Sequence, residues 1–258
     1  MTQSQITWTE RDVRAAASVL DAATDEGHVL PTLTDEEVLA LDGPSREQLV
    51  ELPWVASQEV GKDMAAAVAL RGLLAKGIAY PVHAEGSLDP VGLEASVDIT
   101  GALVLRRTAA RLVRFERQVS TGSAWLYAYV HDGGILTEAV DESGLHEFRA
   151  VTPGGIGGLV AGFVDPQSVA STDGAPESLD RSEFEAVALE RLGEVLAVTV
   201  ATAVSADGAE RSFTVYVSRS TVTLLVPEER EGQTRVALQP VSGQTLQGTL
   251  AALVNSAA

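Results

Sequence analysis

The stretch HEFRAVTPGGIGGLVAGF, His146 to Phe163, places four glycines within five residues, between a strand-like run and a helix-like run. A strand, a glycine turn and a helix amino-terminus are the parts of a phosphate site, because free backbone N–H groups and the helix dipole attract anions. A phosphate loop of the G-x-x-x-x-G-K-[ST] type ends on a lysine, whereas here Gly158 is followed by Leu159 and Val160. The residues therefore predict a turn into a helix packed closely on a sheet.

Other constellations are equally spare. None of the four histidines, His28, His83, His131 and His146, has a second histidine or a carboxylate at a zinc-helix spacing, and HEF at His146 to Phe148 is not H-E-x-x-H. His131 reads as the tip of a hairpin and His146 as a strand residue, so both are expected to be solvent-exposed or on an edge strand, with no metal. TGSAW, Thr121 to Trp125, lacks the second glycine of a nucleophile elbow and precedes a strand rather than a helix. The acidic runs Asp35, Glu36 and Glu37, Asp141 and Glu142, and Glu228 and Glu229 fall at helix starts or in turns, where water or a helix dipole satisfies them. No catalytic group and no cofactor is called for. Trp125, Tyr127 and Tyr129 alternate with Leu126, Ala128 and Val130 and so share one face of a strand. They are expected in the core if that face is covered, and as anchors for a partner if it is open.

Composition narrows the classes further. Over 258 residues, 36 acidic groups stand against 18 basic ones, a formal net charge of −18. Phosphate backbones bind by exchanging counterions for Lys and Arg, so nucleic acid and anionic membrane are poor partners. Cysteine is absent, which removes disulfides, thiolate metal sites and a cysteine nucleophile together. The start, MTQSQITWTERDVR, has no basic region followed by an apolar one, and no apolar run reaches the length of a membrane span. A cytoplasmic protein is expected. Hydrophobic residues at 45% supply ample core, mostly Ala, Val and Leu.

The elements that must position any site begin with short helices. Thr9 is expected to cap ERDVRAAASVLDAA, Thr34 to cap DEEVLALDG, and Ser45 to open REQLVELPWV. In GKDMAAAVALRGLLAKG, Met64, Val68, Leu70, Leu73 and Leu74 make a helical stripe, with Lys76 and Gly77 as the stop. Followed by IAYPV, this helix has the look of part of a winged-helix unit. Four strands then follow, RLVRFERQV, SAWLYAYVH, GILTEAV and LHEFRAV, separated by the turns STGS, DGG and DESG and closed by the helix LVAGFV. The polar run DPQSVASTDGAPESLDRS reads as a linker. After it the pattern recurs: helix, four strands, helix.

The two units align in register. LRRTAARLVRF matches LERLGEVLAVT at an offset of 84, Tyr129 matches Tyr216 and Ile135 matches Val222 at 87, and Phe163 falls close to Leu250. The expected fold is α+β, with two pseudo-symmetric α-β4-α units of antiparallel sheet, residues 89–166 and 180–258, joined by a linker at 167–179 and preceded by a helical segment at 1–88.

The order of these elements, with ALRGLLAKG, RTAARLVRFER and SGLHEFRAVTPGGIGGLVAGFV in sequence before a second sheet unit, resembles the EspG family of actinobacterial type VII (ESX) secretion-associated proteins from about Met64 to Leu253. The resemblance implies a non-enzymatic cytosolic chaperone or adaptor that needs no cofactor. Its partner would be a helical secreted protein or protein pair, PE/PPE-like or WXG-like, and it would itself be a monomer or homodimer. Carried over by position, the hairpin YVHDGGILTE and the last helix QTLQGTLAALVN become the expected contact elements, with Tyr129, His131, Ile135, Leu136, Leu246 and Leu250 as candidate binding residues. The runner-up expectation is a ligand-responsive regulator whose winged-helix-like part is the amino-terminal segment.

Overall fold

A computed structural model describes residues 8–83, 90–204, 210–230 and 233–256. Thr9 and Thr34 are the N-caps the sequence predicts. Each closes a capping box with the acid three residues on, Asp12 at the head of α1 (Glu10–Asp21) and Glu37 at the head of α2 (Asp35–Asp42). Between these helices lie two very short strands, β1 (His28–Val29) and β2 (Leu33–Thr34), so the segment expected to be purely helical also feeds the sheet.

The helix expected from Ser45 does not form, and the chain stays irregular until α3 (Pro53–Ser57). Pro53 disfavours the helical region at Leu52, which sits at φ −119° and ψ 73°. Long-range bonds also take the backbone donors here: Glu51 N–H donates to the Tyr127 hydroxyl and Val55 N–H to the Asp35 carboxylate. Next come α4 (Lys62–Ala75), stopped at Lys76 by Gly77 with φ +67°, and a separate two-stranded sheet of β3 (Ala79–His83) and β4 (Pro90–Ala95).

The first sheet unit is α5 (Val97–Thr108), β5 (Arg111–Val119), β6 (Gly122–His131), β7 (Gly134–Asp141), β8 (Leu145–Val151) and α6 (Ile156–Val164). The second is β9 (Glu177–Asp180), α7 (Arg181–Leu192), β10 (Val195–Val204), β11 (Glu210–Ser218), β12 (Val222–Arg230), β13 (Gln233–Val241) and α8 (Gly243–Asn255). The end of the expected linker is therefore an edge strand.

All but β3 and β4 join one antiparallel sheet in the order β1-β8-β7-β6-β5-β10-β11-β12-β13-β9, with β2 also pairing β8. The order reads the same outward from the central β5–β10 pair. Glu116 opposes Val200 there, at the 84-residue offset read from the sequence. Ile135 and Val222 keep the offset of 87, and their strand partners are Val151 and Val241. The path from Val222 to Val241 is three residues longer than that from Ile135 to Val151, so beyond it the correspondence shifts. Ile156, Val160 and Val164 of α6 answer to Leu246, Leu250 and Val254 of α8, and Phe163 does not answer to Leu250. All six face one core.

That core lies on one face of the sheet. It joins α6 and α8 to Val113, Phe115, Leu126, Ala201, Phe213 and Val215 from both halves. The opposite face is covered over its first half by α1, α2 and α5, which bury Tyr127, Tyr129, Leu136, Val140 and Phe148. Each fully buried side chain of this size contributes roughly 1.5–3 kcal/mol. Two of the aromatic trio are thus core, and Trp125 is partly buried against the same cluster.

Candidate functional site

The glycine turn is used for close packing. A Cβ added at Gly155 would lie 2.1 Å from the Asp25 carbonyl oxygen, and one at Gly157 would lie 2.7 Å from the Gln247 carbonyl oxygen of α8. The Gly155 N–H donates to the Thr152 hydroxyl, and that hydroxyl donates to the Asp25 carboxylate. A carboxylate thus stands beside the start of α6, where a phosphate would have to sit.

The strongest titratable cluster was missed by sequence reasoning. His146, expected on an edge, is completely buried, and Asp35, expected in solvent, is buried beside it. His146 Nδ1 lies 2.7 Å from Glu138 Oε1 and Nε2 lies 2.7 Å from Asp35 Oδ1. Glu138 also accepts from Arg106 Nε at 2.8 Å and from the Tyr129 hydroxyl at 2.6 Å. Arg106 reaches on to Asp42 at 3.6 Å, and Arg107 bonds the same carboxylate through two nitrogens. The cause of the burial is topological: β2 pairs with β8 at Leu33 and His146, which lays the start of α2 over the histidine.

Both ring nitrogens of His146 face carboxylates, so both donate and the ring is an imidazolium. Burial alone would depress its pKa, but the bonds to Asp35 and Glu138 outweigh this and raise it above the ordinary histidine value. Burial would likewise raise Glu138, but Arg106, His146 and the Tyr129 hydroxyl hold it down to about 2. Burial and the neighbouring Glu138 push the Tyr129 phenol well above its usual range. Three carboxylates meet three cations, and the ring nitrogens have no lone pair free for a metal. Among the described residues no group of three His, Asp or Glu side chains is arranged to hold a metal ion.

The six candidate residues of the sequence lie within the molecule. Tyr129 and Leu136 are in the core beneath α5, while Ile135, Leu246 and Leu250 are in the core beneath α6 and α8. His131 is half-buried with Nε2 3.1 Å from the Leu105 carbonyl oxygen, and burial lowers its pKa. The tip of the YVHDGGILTE hairpin rests against the end of α1, where a Cβ added at Gly134 would lie 3.4 Å from Leu20. The exposed positions of the last helix are small or polar, Gln244, Gln247, Gly248 and Ala252 among them.

The apolar surface that is open lies elsewhere. On the face opposite α6 and α8, the cover provided by the amino-terminal segment ends at the middle of the sheet. On that face of β10, Leu196, Val200 and Val204, four residues apart, are 38% to 45% exposed, with Val198 and Thr202 half-buried between them. Tyr216, whose counterpart Tyr129 is wholly buried, is half-buried on β11 beside them, opposite Val198. Further out, α7 packs on β13 and β9. The result is a trough along β10, deepened at one end into a groove of ≈ 370 Å³. Leu49, Leu112, Val200 and Val204 give it apolar surface, with Tyr127, Thr202, Glu51, Glu116, Glu210 and Arg114 around them, and Arg114 pairs with Glu116 and lies 3.8 Å from Glu51. A larger groove of ≈ 620 Å³ runs beside α6, but its charged lining residues, Asp25, Glu26, Glu147 and Arg149, belong to no buried network.

Compared with known proteins, the chain matches no family model and no curated protein sequence. Among the described residues no helix is long and apolar enough to cross a membrane.

Proposed function

We propose that this protein is a non-enzymatic adaptor that holds an apolar part of a helical protein in the trough along β10, as the resemblance to the EspG family implies for type VII secretion substrates in the cytoplasm. The observation that carries the reading is the row Leu196, Val200 and Val204, an exposed apolar strip on the central strand β10. Its chemistry is that of a binding surface: aliphatic side chains, the rings of Tyr127 and Tyr216, and a polar rim of glutamates with Arg114 among them. The histidine, carboxylate and tyrosine cluster that has the parts of a proton relay is buried away from this surface, with His146 and Tyr129 bonded to Glu138 and Asp35.

The regulatory alternative draws on α4 and the β3–β4 hairpin, which do follow one another as in a winged helix. The outward side of α4, however, carries Met64, Val68 and Leu74. Such a face suits protein contact better than a phosphate backbone.

The test is purification of the tagged protein from its native cytosol, beside a Val200→Arg variant, with bound proteins identified by mass spectrometry. The adaptor reading expects a helical protein or protein pair with the wild type and its loss with the variant. Equal recovery with both, or none with either, would set the reading aside.

A further inference from the structure

The sequence marks Met64, Val68, Leu70, Leu73 and Leu74 as one helical stripe, but the structure splits it. Leu73 and Ala66 enter the core, and the opposite side of α4 faces solvent, with Met64 63% and Val68 59% exposed. Along that side Met64, Ala67, Arg71 and Leu74 are all exposed. They recur at steps of three, four and three, the spacing of a helix–helix seam. Among the described residues the helix that packs closely on α4 is α2, which lies against the side of Ala66.

We propose that the seam is closed by a second copy of this chain, α4 against α4, antiparallel across a two-fold axis at Ala67. The charges select this occupant. Asp63 and Arg71 are both exposed, neither forms an ion pair among the described residues, and they stand four residues either side of Ala67. An antiparallel dyad at Ala67 sets Asp63 against the partner's Arg71 and Arg71 against the partner's Asp63. The same dyad sets Met64 against the partner's Leu70, and it places the small Ala67 where the two backbones come nearest. Parallel pairing would instead set each charge against its own kind. The location fits as well. A protein of net charge −18 repels a copy over most of its surface, whereas α4 carries Lys62 and Arg71 against Asp63. A two-fold pairing of identical patches closes on itself and stops at the dimer.

Sedimentation velocity of the full chain over a concentration series tests this. The expected result is a reversible dimer that Met64→Glu weakens by about tenfold or more, a change in the range of a lost apolar anchor. Asp63→Arg and Arg71→Asp are each expected to weaken it, and the double exchange Asp63→Arg with Arg71→Asp to restore it. Circular dichroism of each variant separates loss of pairing from loss of fold, since the substituted side chains are exposed. A monomer at every concentration, a dimer indifferent to Met64→Glu, or singly weakened charge variants that the double exchange fails to rescue would each overturn the proposal.

Discussion

His146 Nδ1 lies 2.7 Å from Glu138 Oε1, and its other ring nitrogen is the same distance from Asp35, a residue of the amino-terminal segment. One buried imidazolium therefore bonds the outer helices to the sheet. Glu138 is the hinge of the arrangement, because it alone accepts from His146, Arg106 and Tyr129 together. Removing its charge takes from two buried cations their nearest shared counter-ion, leaving His146 with Asp35 alone and Arg106 with Asp42 at 3.6 Å. Glu138→Gln is expected to cost about 3–5 kcal/mol in urea unfolding, whereas Glu147→Gln, on the exposed side of β8, stays within about 0.5 kcal/mol. A small loss at Glu138 would mean that the cluster contributes little to holding the fold.

The same cluster predicts a pH profile. The raised pKa of His146 gives stability that is fully present below the unfolded value of 6.5 and is lost as pH climbs through the folded value. The depressed pKa of Glu138 gives stability present above its ordinary 4.5 and lost as pH falls toward about 2. The two overlap between those ordinary values. Thermal unfolding of the wild type and of His146→Gln, measured from pH 5 to 9, is expected to show the largest difference at the acidic end and a narrowing gap as pH rises. A gap that widens with pH would show that the ring is neutral in the folded protein.

Gly157 and Gly158 are neighbours on α6 with opposite demands. A Cβ at Gly157 meets the α8 backbone at 2.7 Å, and one at Gly158 meets nothing within 4 Å. Gly157→Ala is expected to destabilise by about 1–3 kcal/mol through overpacking. Gly158→Ala should be neutral or stabilising by up to about 1 kcal/mol, since alanine is the better helix former. Chemical denaturation of the pair checks the closeness of α6 to α8; equal effects would refute it.

Local signals in the sequence were the legible ones. The helix caps at Thr9 and Thr34, the glycine stop after Lys76 and the antiparallel hairpin strands are all set by residues near in sequence, and they stand in the fold as expected. What was illegible depends on distant pairing. β1 and β2 are two residues each and exist only because β8 offers an edge. Asp35 and His146 are 111 positions apart, so no spacing rule joins them. The apolar stripe on α4 announced an amphipathic helix but could not say which side the core would take. The six candidate residues shared this fate: they were placed by position in the pattern, and all but the half-buried His131 lie in a core, Ile135 and Leu136 on opposite faces of β7.

Tyr129 and Tyr216 state the remaining point most simply. They hold matching places in two related halves, yet one is sealed and the other stands beside the bare strip of β10. The difference comes from the amino-terminal segment, which covers a single half. The proposed binding trough is the part of the sheet that this cover leaves open.

The most direct measurement is a photo-crosslinking map in the native cell, with a benzophenone side chain placed in turn at Val200 and Val204 in the trough and at Gln247 on the exposed side of α8. The account predicts adducts to the apolar part of a helical protein from the two trough positions and none from Gln247. Adducts from Gln247 with none from Val200 or Val204 would move the site to the last helix and contradict the account.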